Sequence, residues 1–274
     1  MEIIQRSPDL RAALSTRTAV IFVPTMGNLH EGHLSLVRMA RRRKGVVVAS
    51  IFVNPLQFAP NEDFAKYPRT LERDCALLEK AGCDVVFTPT QSDMYPEPQE
   101  FKVHPPAAIG DILEGRSRPG FFVGVSTVVL KLFNIVRPNV AVFGKKDYQQ
   151  LLVLKNMVAQ FALPIEIVPG ETVREASGLA LSSRNQYLSD LERTEAVHLS
   201  TSLRLAAEQV RSGRSDWTAI EGAAFDSLRV RGWLPDYVAI RRQSDLGDPT
   251  EGQALVVLAA ARLGTTRLID SLEI

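Results

Sequence analysis

Ala19-Val20-Ile21-Phe22-Val23-Pro24-Thr25-Met26-Gly27-Asn28-Leu29-His30-Glu31-Gly32-His33 decides the fold class. Its first five residues form an unbroken apolar run, the pattern of a strand covered on both faces. Met26-Gly27 reads as a tight turn, and residues 33–40 carry Leu34, Val37 and Ala40 at helical spacing. A strand, a glycine turn and a helix start therefore meet in this stretch. Unpaired N–H groups at such a helix start, together with the positive end of its dipole, favour an anion, most often a phosphate. His30 and His33, three residues apart, add donors whose charge changes near neutral pH. The expectation is a cradle that holds a polyphosphate and stabilises its developing charge.

The same alternation continues outward. Apolar runs at 46–53, 84–89, 140–143 and 165–168 are separated by helical patterns at 70–80, 125–137 and 148–161. Gly82 stops the first of these helices and Pro138 the second. Nearly continuous apolar strands alternating with helices predict an α/β fold with a parallel sheet covered on both faces. Ligands of such sheets lie beyond the carboxyl ends of the strands, near the switch in strand order. Three polar loops follow strands here: the histidine stretch, Asn54-Pro55-Leu56-Gln57-Phe58 and Gly144-Lys145-Lys146-Asp147. They are expected to converge on one cleft. Residues 91–124 are rich in proline and glycine and read as a lid or an irregular connection. After about 172 the pattern changes to helices at 190–212 and 217–231, then strands at 236–240, 254–261 and 266–270. That predicts a small α+β domain, with a first domain over 1–172 and a second over 173–274.

The chain has 274 residues, 45% hydrophobic and 23% charged, with a net charge of +1, which describes a globular protein and gives no electrostatic pull toward nucleic acid or a membrane. The basic run Arg41-Arg42-Arg43-Lys44 sits where a helix ends and complements its dipole. Cys75 and Cys83 lack metal or redox spacing and read as buried thiols. No stretch approaches the roughly 20 apolar residues of a membrane span, and residues 1–8 lack a long apolar leader region, so a cytoplasmic protein is expected.

Several chemistries are excluded by spacing. The turn lacks the three-glycine dinucleotide fingerprint and the Gly-Lys-Ser/Thr of a Walker A loop. His30-Glu31-Gly32-His33 places its histidines three apart instead of the four of a zinc helix, so no metal is assigned to the pair. No nucleophile elbow is present. Gly144-Lys145-Lys146-Asp147 offers a lysine for phosphate and a carboxylate for a metal or ribose, Leu181-Ser182-Ser183-Arg184 two hydroxyls and a guanidinium, and Gln57 and Gln150 amides for a hydroxyl or carboxylate. Together they suit a phosphate displacement driven by positioning and electrostatics, without a protein nucleophile.

The motifs PTMGNLHEGH (24–33), FVNPLQF (52–58), YPRT (67–70), RPGFFVGVSTVVLKLFN (118–134), FGKKDYQQL (143–151), GLALSSRNQYL (178–188) and LGTTRLID (263–270) resemble, in this order, the pantoate–β-alanine ligase family. That family lies in the nucleotidyltransferase superfamily with class I aminoacyl-tRNA synthetases. The resemblance spans essentially the whole chain. It implies a Rossmann-like doubly wound sheet with a small C-terminal lid, and a homodimer. The implied reaction condenses pantoate with β-alanine using ATP, through pantoyl adenylate, releasing pyrophosphate and AMP, with Mg²⁺ accompanying the triphosphate. By position, Met26, Gly27, His30 and His33 match the first ATP segment, with His33 the catalytic acid and His30 also facing phosphate. Gln57 matches a contact to both pantoate and β-alanine, and Gln150 a second pantoate contact. Gly144, Lys145, Lys146 and Asp147 match a nucleotide loop, Val173 a backbone contact to adenine, and Leu181, Ser182, Ser183 and Arg184 a phosphate-gripping segment. Two positions depart from the family pattern: Lys145 replaces a common glutamate and Phe121 a frequent histidine. The rival readings are a nucleotidyltransferase that keeps its adenylylated product and a non-catalytic nucleotide sensor.

Overall fold

Six short strands, the inner ones apolar on both sides, pair in one parallel sheet: β1 (Glu2–Ile4), β2 (Val20–Thr25), β3 (Val46–Ile51), β4 (Val85–Phe87), β5 (Val140–Gly144) and β6 (Glu166–Gly170). The structure is a computed structural model and describes residues 1–60, 62 and 64–274. The strand order is β1-β4-β3-β2-β5-β6, so the chain winds outward from β2 in one direction, then crosses back to β5. The switch lies between β2 and β5, and the loops leaving their carboxyl ends carry the two histidines and Lys146. A parallel sheet opens its ligand crevice at this point.

The two-residue period of a strand divides the core. Phe22 and Val48 face one side, where α1 (Ser7–Leu14), α7 (Phe121–Val136) and α8 (Tyr148–Gln160) cover them. Ile21, Val23, Val47 and Ala49 face the other, against α2 (Glu31–Arg41) and α3 (Leu71–Ala81). Cys75 and Cys83 are buried free thiols, and burial pushes Cys83 up to about 11, leaving it an unreactive packing group. In the basic run, Arg41 pairs with Asp84 and Arg43 with Glu166, so its charges tie helix ends to the sheet rim.

The connection over 91–124 is not unstructured. It forms the short helices α4 (Gln91–Met94), α5 (Ala107–Gly110) and α6 (Leu113–Ser117). The buried Gln149 side chain stitches it down, donating to the Ile109 and Ile112 carbonyls and accepting from the Glu114 N–H. The sequence pattern does not predict β1 or α1. β1 is only three residues long and gains its order by pairing with β4, a contact with no local signature.

The C-terminal part is the anticipated α+β unit: α9 (Asp190–Arg211) and α10 (Trp217–Arg229) pack on the antiparallel sheet β7 (Leu234–Arg242), β8 (Leu255–Leu263), β9 (Thr266–Glu273). β8 is apolar on both faces. Val257 and Ala259 meet the two helices, while Val256 and Leu258 pack with Leu113, Phe122, Tyr148 and Leu152 of the first unit. The small sheet is thus sandwiched, and an apolar seam joins it to the large one. Among the described residues, no helix is long and apolar enough to cross a membrane.

Candidate active site

The turn after β2 is held from below by a carboxylate that sequence reading missed. Asp74, in the first turn of α3 and fully buried, accepts the Asn28 and Leu29 N–H groups at 2.8 Å each and the Thr70 hydroxyl at 3.0 Å. Gly27 adopts φ +84°, and an added Cβ would sit 3.0 Å from Ile51 and 3.1 Å from Asp74, so glycine is required on both counts. This corrects the backbone part of the expected cradle. The Gly27 N–H goes to the Thr25 hydroxyl, the His30 N–H to His33 Nδ1 and the Gly32 N–H to His30 Nδ1. With these donors spent inside the loop, side chains carry most of what the site offers an anion.

The two imidazoles are shaped for that. They form a reciprocal capping box at the start of α2, with ring centroids 4.0 Å apart. Each Nδ1 accepts a backbone N–H, which assigns the ring proton of the neutral form to Nε2. Burial, and then the Lys146 charge, hold His33 down to about 4. Burial, the neighbouring His33 and Lys146 hold His30 down to about 3. Both are neutral at pH 7 in the ligand-free protein, so each presents an Nε2–H donor and no permanent charge. His33 lines the cavity, while His30 stacks behind it.

The second loop carries Gln57 on a short 3-10 turn (Pro55–Gln57). Asn54, nearly inaccessible, is the other residue sequence reading passed over. It caps this turn through the Leu56 N–H, accepts from the Tyr95 hydroxyl at 2.8 Å, and donates to Gln57 Oε1 at 3.0 Å and the Gly124 carbonyl at 3.2 Å. The Asn-Pro pair was its available signal, since asparagine before proline favours a turn start. Gly124 lets α7 press against the turn: a Cβ there would fall 2.1 Å from the Leu56 carbonyl oxygen. The Gln57 side chain is therefore held at Oε1 by Asn54, and its Nε2 lies 3.1 Å from Met26 Sδ.

The third loop divides its lysines. Lys146 and Asp147 line the cavity, 3.9 Å apart, with Gln150 one turn further along α8. Lys145 does not line it: Glu171 at 2.6 Å and Glu273 at 2.7 Å hold its ammonium, which fastens this loop to β9. Two carboxylates thus engage the Lys145 charge in an ion-paired latch, at a position where the resemblance implies an ATP contact. Gly27, His30, Gly144, Val173, Leu181 and Ser183 also lie behind the cavity wall. Leu181 N–H bonds the Val173 carbonyl, and Ser183 donates to the Asn28 carbonyl at 3.0 Å, which docks the 182–187 segment on the histidine loop. Ser182 and Arg184 then line the cavity.

The result is one cavity of about 940 Å³ beneath β8–β9, receiving Met26, His33, Gln57, Lys146, Asp147, Gln150, Ser182 and Arg184 from four segments. Its opposite wall is a chain of ion pairs. Arg118 meets both Glu62 oxygens at 2.6 Å, contacts Glu114 at 3.3 Å and stacks 3.8 Å over Phe121, the residue in place of the frequent histidine. Arg267 meets Glu114 at 2.8 and 2.9 Å and Asp236 at 2.7 Å. Burial works against the Glu62 carboxylate, yet Arg118 keeps its pKa below the usual range. No cluster of three or more His, Cys, Asp or Glu suited to a metal occurs among the described residues.

Comparison with known proteins agrees with this geometry. Residues 2–273 match the family model described as pantoate-beta-alanine ligase. A pantothenate synthetase of Leptothrix cholodnii is 59% identical, with both chains covered in full. The crystal structure of pantothenate synthetase from Thermus thermophilus superposes with a TM-score of 0.94 at 46% identity, over 100% of this chain and 99% of that one. The Francisella tularensis ligase, solved with a β,γ-ATP ligand and β-alanine, gives 0.81 at 33% identity, over 100% and 97%. Sequence and overall fold agree over the whole chain, and the chain belongs to the pantoate–β-alanine ligase family, a family of amide-forming ligases.

Proposed function

We propose that the protein joins pantoate to β-alanine in two steps within this one cavity, through a pantoyl adenylate. A pantoate carboxylate oxygen attacks the α-phosphorus of ATP, the bond to the β-phosphate oxygen breaks, and pyrophosphate leaves. The β-alanine amine, having lost its proton, then attacks the acyl carbon. The acyl–phosphate oxygen bond breaks, giving the amide and AMP. Binding of ATP and β-alanine by the Francisella relative supports both halves.

The observation that carries this reading is the buried, neutral histidine pair beside Lys146. A neutral Nε2–H set against developing phosphate charge costs no reorganisation and gains strength in a site closed to water. His33 takes this role directly, with His30 fixing its orientation. Lys146, Ser182 and Arg184 hold the phosphates. Gln57 and Gln150 read the acid as neutral amides, so the carboxylate keeps its nucleophilic charge. Gly27, Gly144, Val173, Leu181 and Ser183 shape the nucleotide end as backbone. The two units, 1–172 and 173–274, close the cavity between them.

Mg²⁺ fits this donor set as a partner of the nucleotide. Such ions take one or two carboxylates plus phosphate oxygens, and among the described residues Asp147 is the cavity carboxylate not engaged by an arginine. When bound, the ion screens phosphate charge. The family resemblance further assigns a cytoplasmic homodimer, which sedimentation of the purified chain will check.

Pyrophosphate release that requires pantoate but not β-alanine tests the first step, and AMP release that requires β-alanine tests the second. AMP formation independent of β-alanine contradicts the ligase reading.

A further inference from the structure

The β8–β9 hairpin forms part of the cavity roof, and its register sets Arg262 directly opposite Arg267. Like charges at opposed positions of an antiparallel pair destabilise it. Arg267 is compensated by Glu114 and Asp236. Arg262 is not. Its side-chain bond goes to the Thr265 carbonyl at 3.3 Å, within its own turn, and it has no carboxylate partner among the described residues. Arg118 and Arg267 on the same cavity surface are both tied down by acids. Arg262 is solvent-exposed, so in the ligand-free protein water carries its charge and no protein carboxylate competes for it, which leaves its guanidinium free to turn to a ligand in the cavity it lines.

The placement says which ligand. The hairpin tip lies against the start of α9, where Gly264 leaves no room for a Cβ beside Glu192, and β9 packs on the 183–187 segment. Arg262, Thr265 and Thr266 therefore share the cavity with Ser182 and Lys146. We propose that Arg262 is a polyphosphate-binding residue: its planar fork takes the charged oxygens of the ATP tail and holds pyrophosphate as it leaves. This rests on the reading of the cavity as an ATP site. It makes the nucleotide the bridge that ties the C-terminal sheet to the parallel sheet, a job no protein carboxylate does at this position.

The test compares Arg262→Gln and Arg262→Lys with the wild type, using a non-hydrolysable ATP analogue by calorimetry, product inhibition by pyrophosphate, and thermal melting without ligand. Arg262→Gln is expected to weaken analogue and pyrophosphate together on the order of tenfold, leave the KM for β-alanine unchanged, and be only partly rescued by lysine, which restores the charge but not the planar fork. Its ligand-free Tm is expected to stay level or rise, because Arg267 loses a like-charged neighbour. Unchanged analogue and pyrophosphate binding overturns the proposal, as does a Tm that falls with them. A rise in the β-alanine KM alone also overturns it, giving the guanidinium to the acceptor's carboxylate. A wild type that binds the analogue but releases no pyrophosphate with pantoate defeats the reaction above, while the binding comparison still decides Arg262.

Discussion

At one end of the cavity His33, Lys146 and Ser182 stand without a tight carboxylate partner among the described residues; along the opposite wall Glu62, Arg118, Glu114, Arg267 and Asp236 neutralise one another link by link. Both regions are polar and both are partly buried, yet they serve opposite ends. Donors left open where the sheet switches direction are available to an anion. Charges already paired are expensive to pull apart, so the wall supplies shape and joins the two units instead of binding substrate. In the reaction we propose, the acid substrate falls between them, against Gln57 and Gln150, whose amides would discriminate by hydrogen bonding and not by charge.

The sharpest way to separate the regions is to remove one donor from the open end. His33→Ala is expected to slow pantoate-dependent ATP–pyrophosphate exchange by about 100- to 1000-fold, with ATP-analogue binding changed only a few-fold. Equal loss of binding and rate would make His33 a ground-state contact. On the paired wall the expected loss is one of stability. Glu114→Ala takes one carboxylate each from Arg267 and Arg118, leaving them Asp236 and Glu62, and should cost about 2 kcal/mol in urea denaturation, whereas a loss under about 1 kcal/mol would show the wall to be surface electrostatics.

Between the two, Gln57→Ala should raise the KM for pantoate roughly tenfold while leaving ATP-analogue affinity unchanged; an unaltered pantoate dependence contradicts its placement. The smallest effect belongs to Lys145. Lys145→Met should cost about 0.5–1 kcal/mol of stability and leave ATP affinity within about twofold, because its charge is engaged by Glu171 and Glu273. A large loss of ATP affinity would return Lys145 to the open end.

What the sequence disclosed follows from the range of each signal. β2, β3 and β5 are continuous apolar runs, and the three loops after them were placed correctly because strand direction in a parallel sheet fixes where loops emerge. The roles of Gln57, Gln150 and the 182–184 segment came from resemblance, since an amide or hydroxyl in a loop has no periodicity to read. Asp74 was invisible because a carboxylate in the first turn of a helix is ordinarily a solvated dipole partner. Only the fold, which brings it 46 positions back along the chain to Asn28, shows that it consumes the loop's amides. Arg262 was hidden for the same reason: its conflict with Arg267 exists only once β8 and β9 are in register.

The open end is proposed to work through neutral imidazole donors, since the Gly27, Asn28, Leu29, His30 and Gly32 amides are engaged by Thr25, Asp74 and the histidines themselves. Nitrogen-resolved NMR of the ligand-free protein across pH 4–8 tests it most directly. The account predicts that His30 and His33 stay uncharged as Nε2–H tautomers down to about pH 5, well below the ordinary 6.5, and that a triphosphate analogue shifts both titrations upward. Titration near 6.5 without ligand, or an Nδ1–H tautomer, would contradict it.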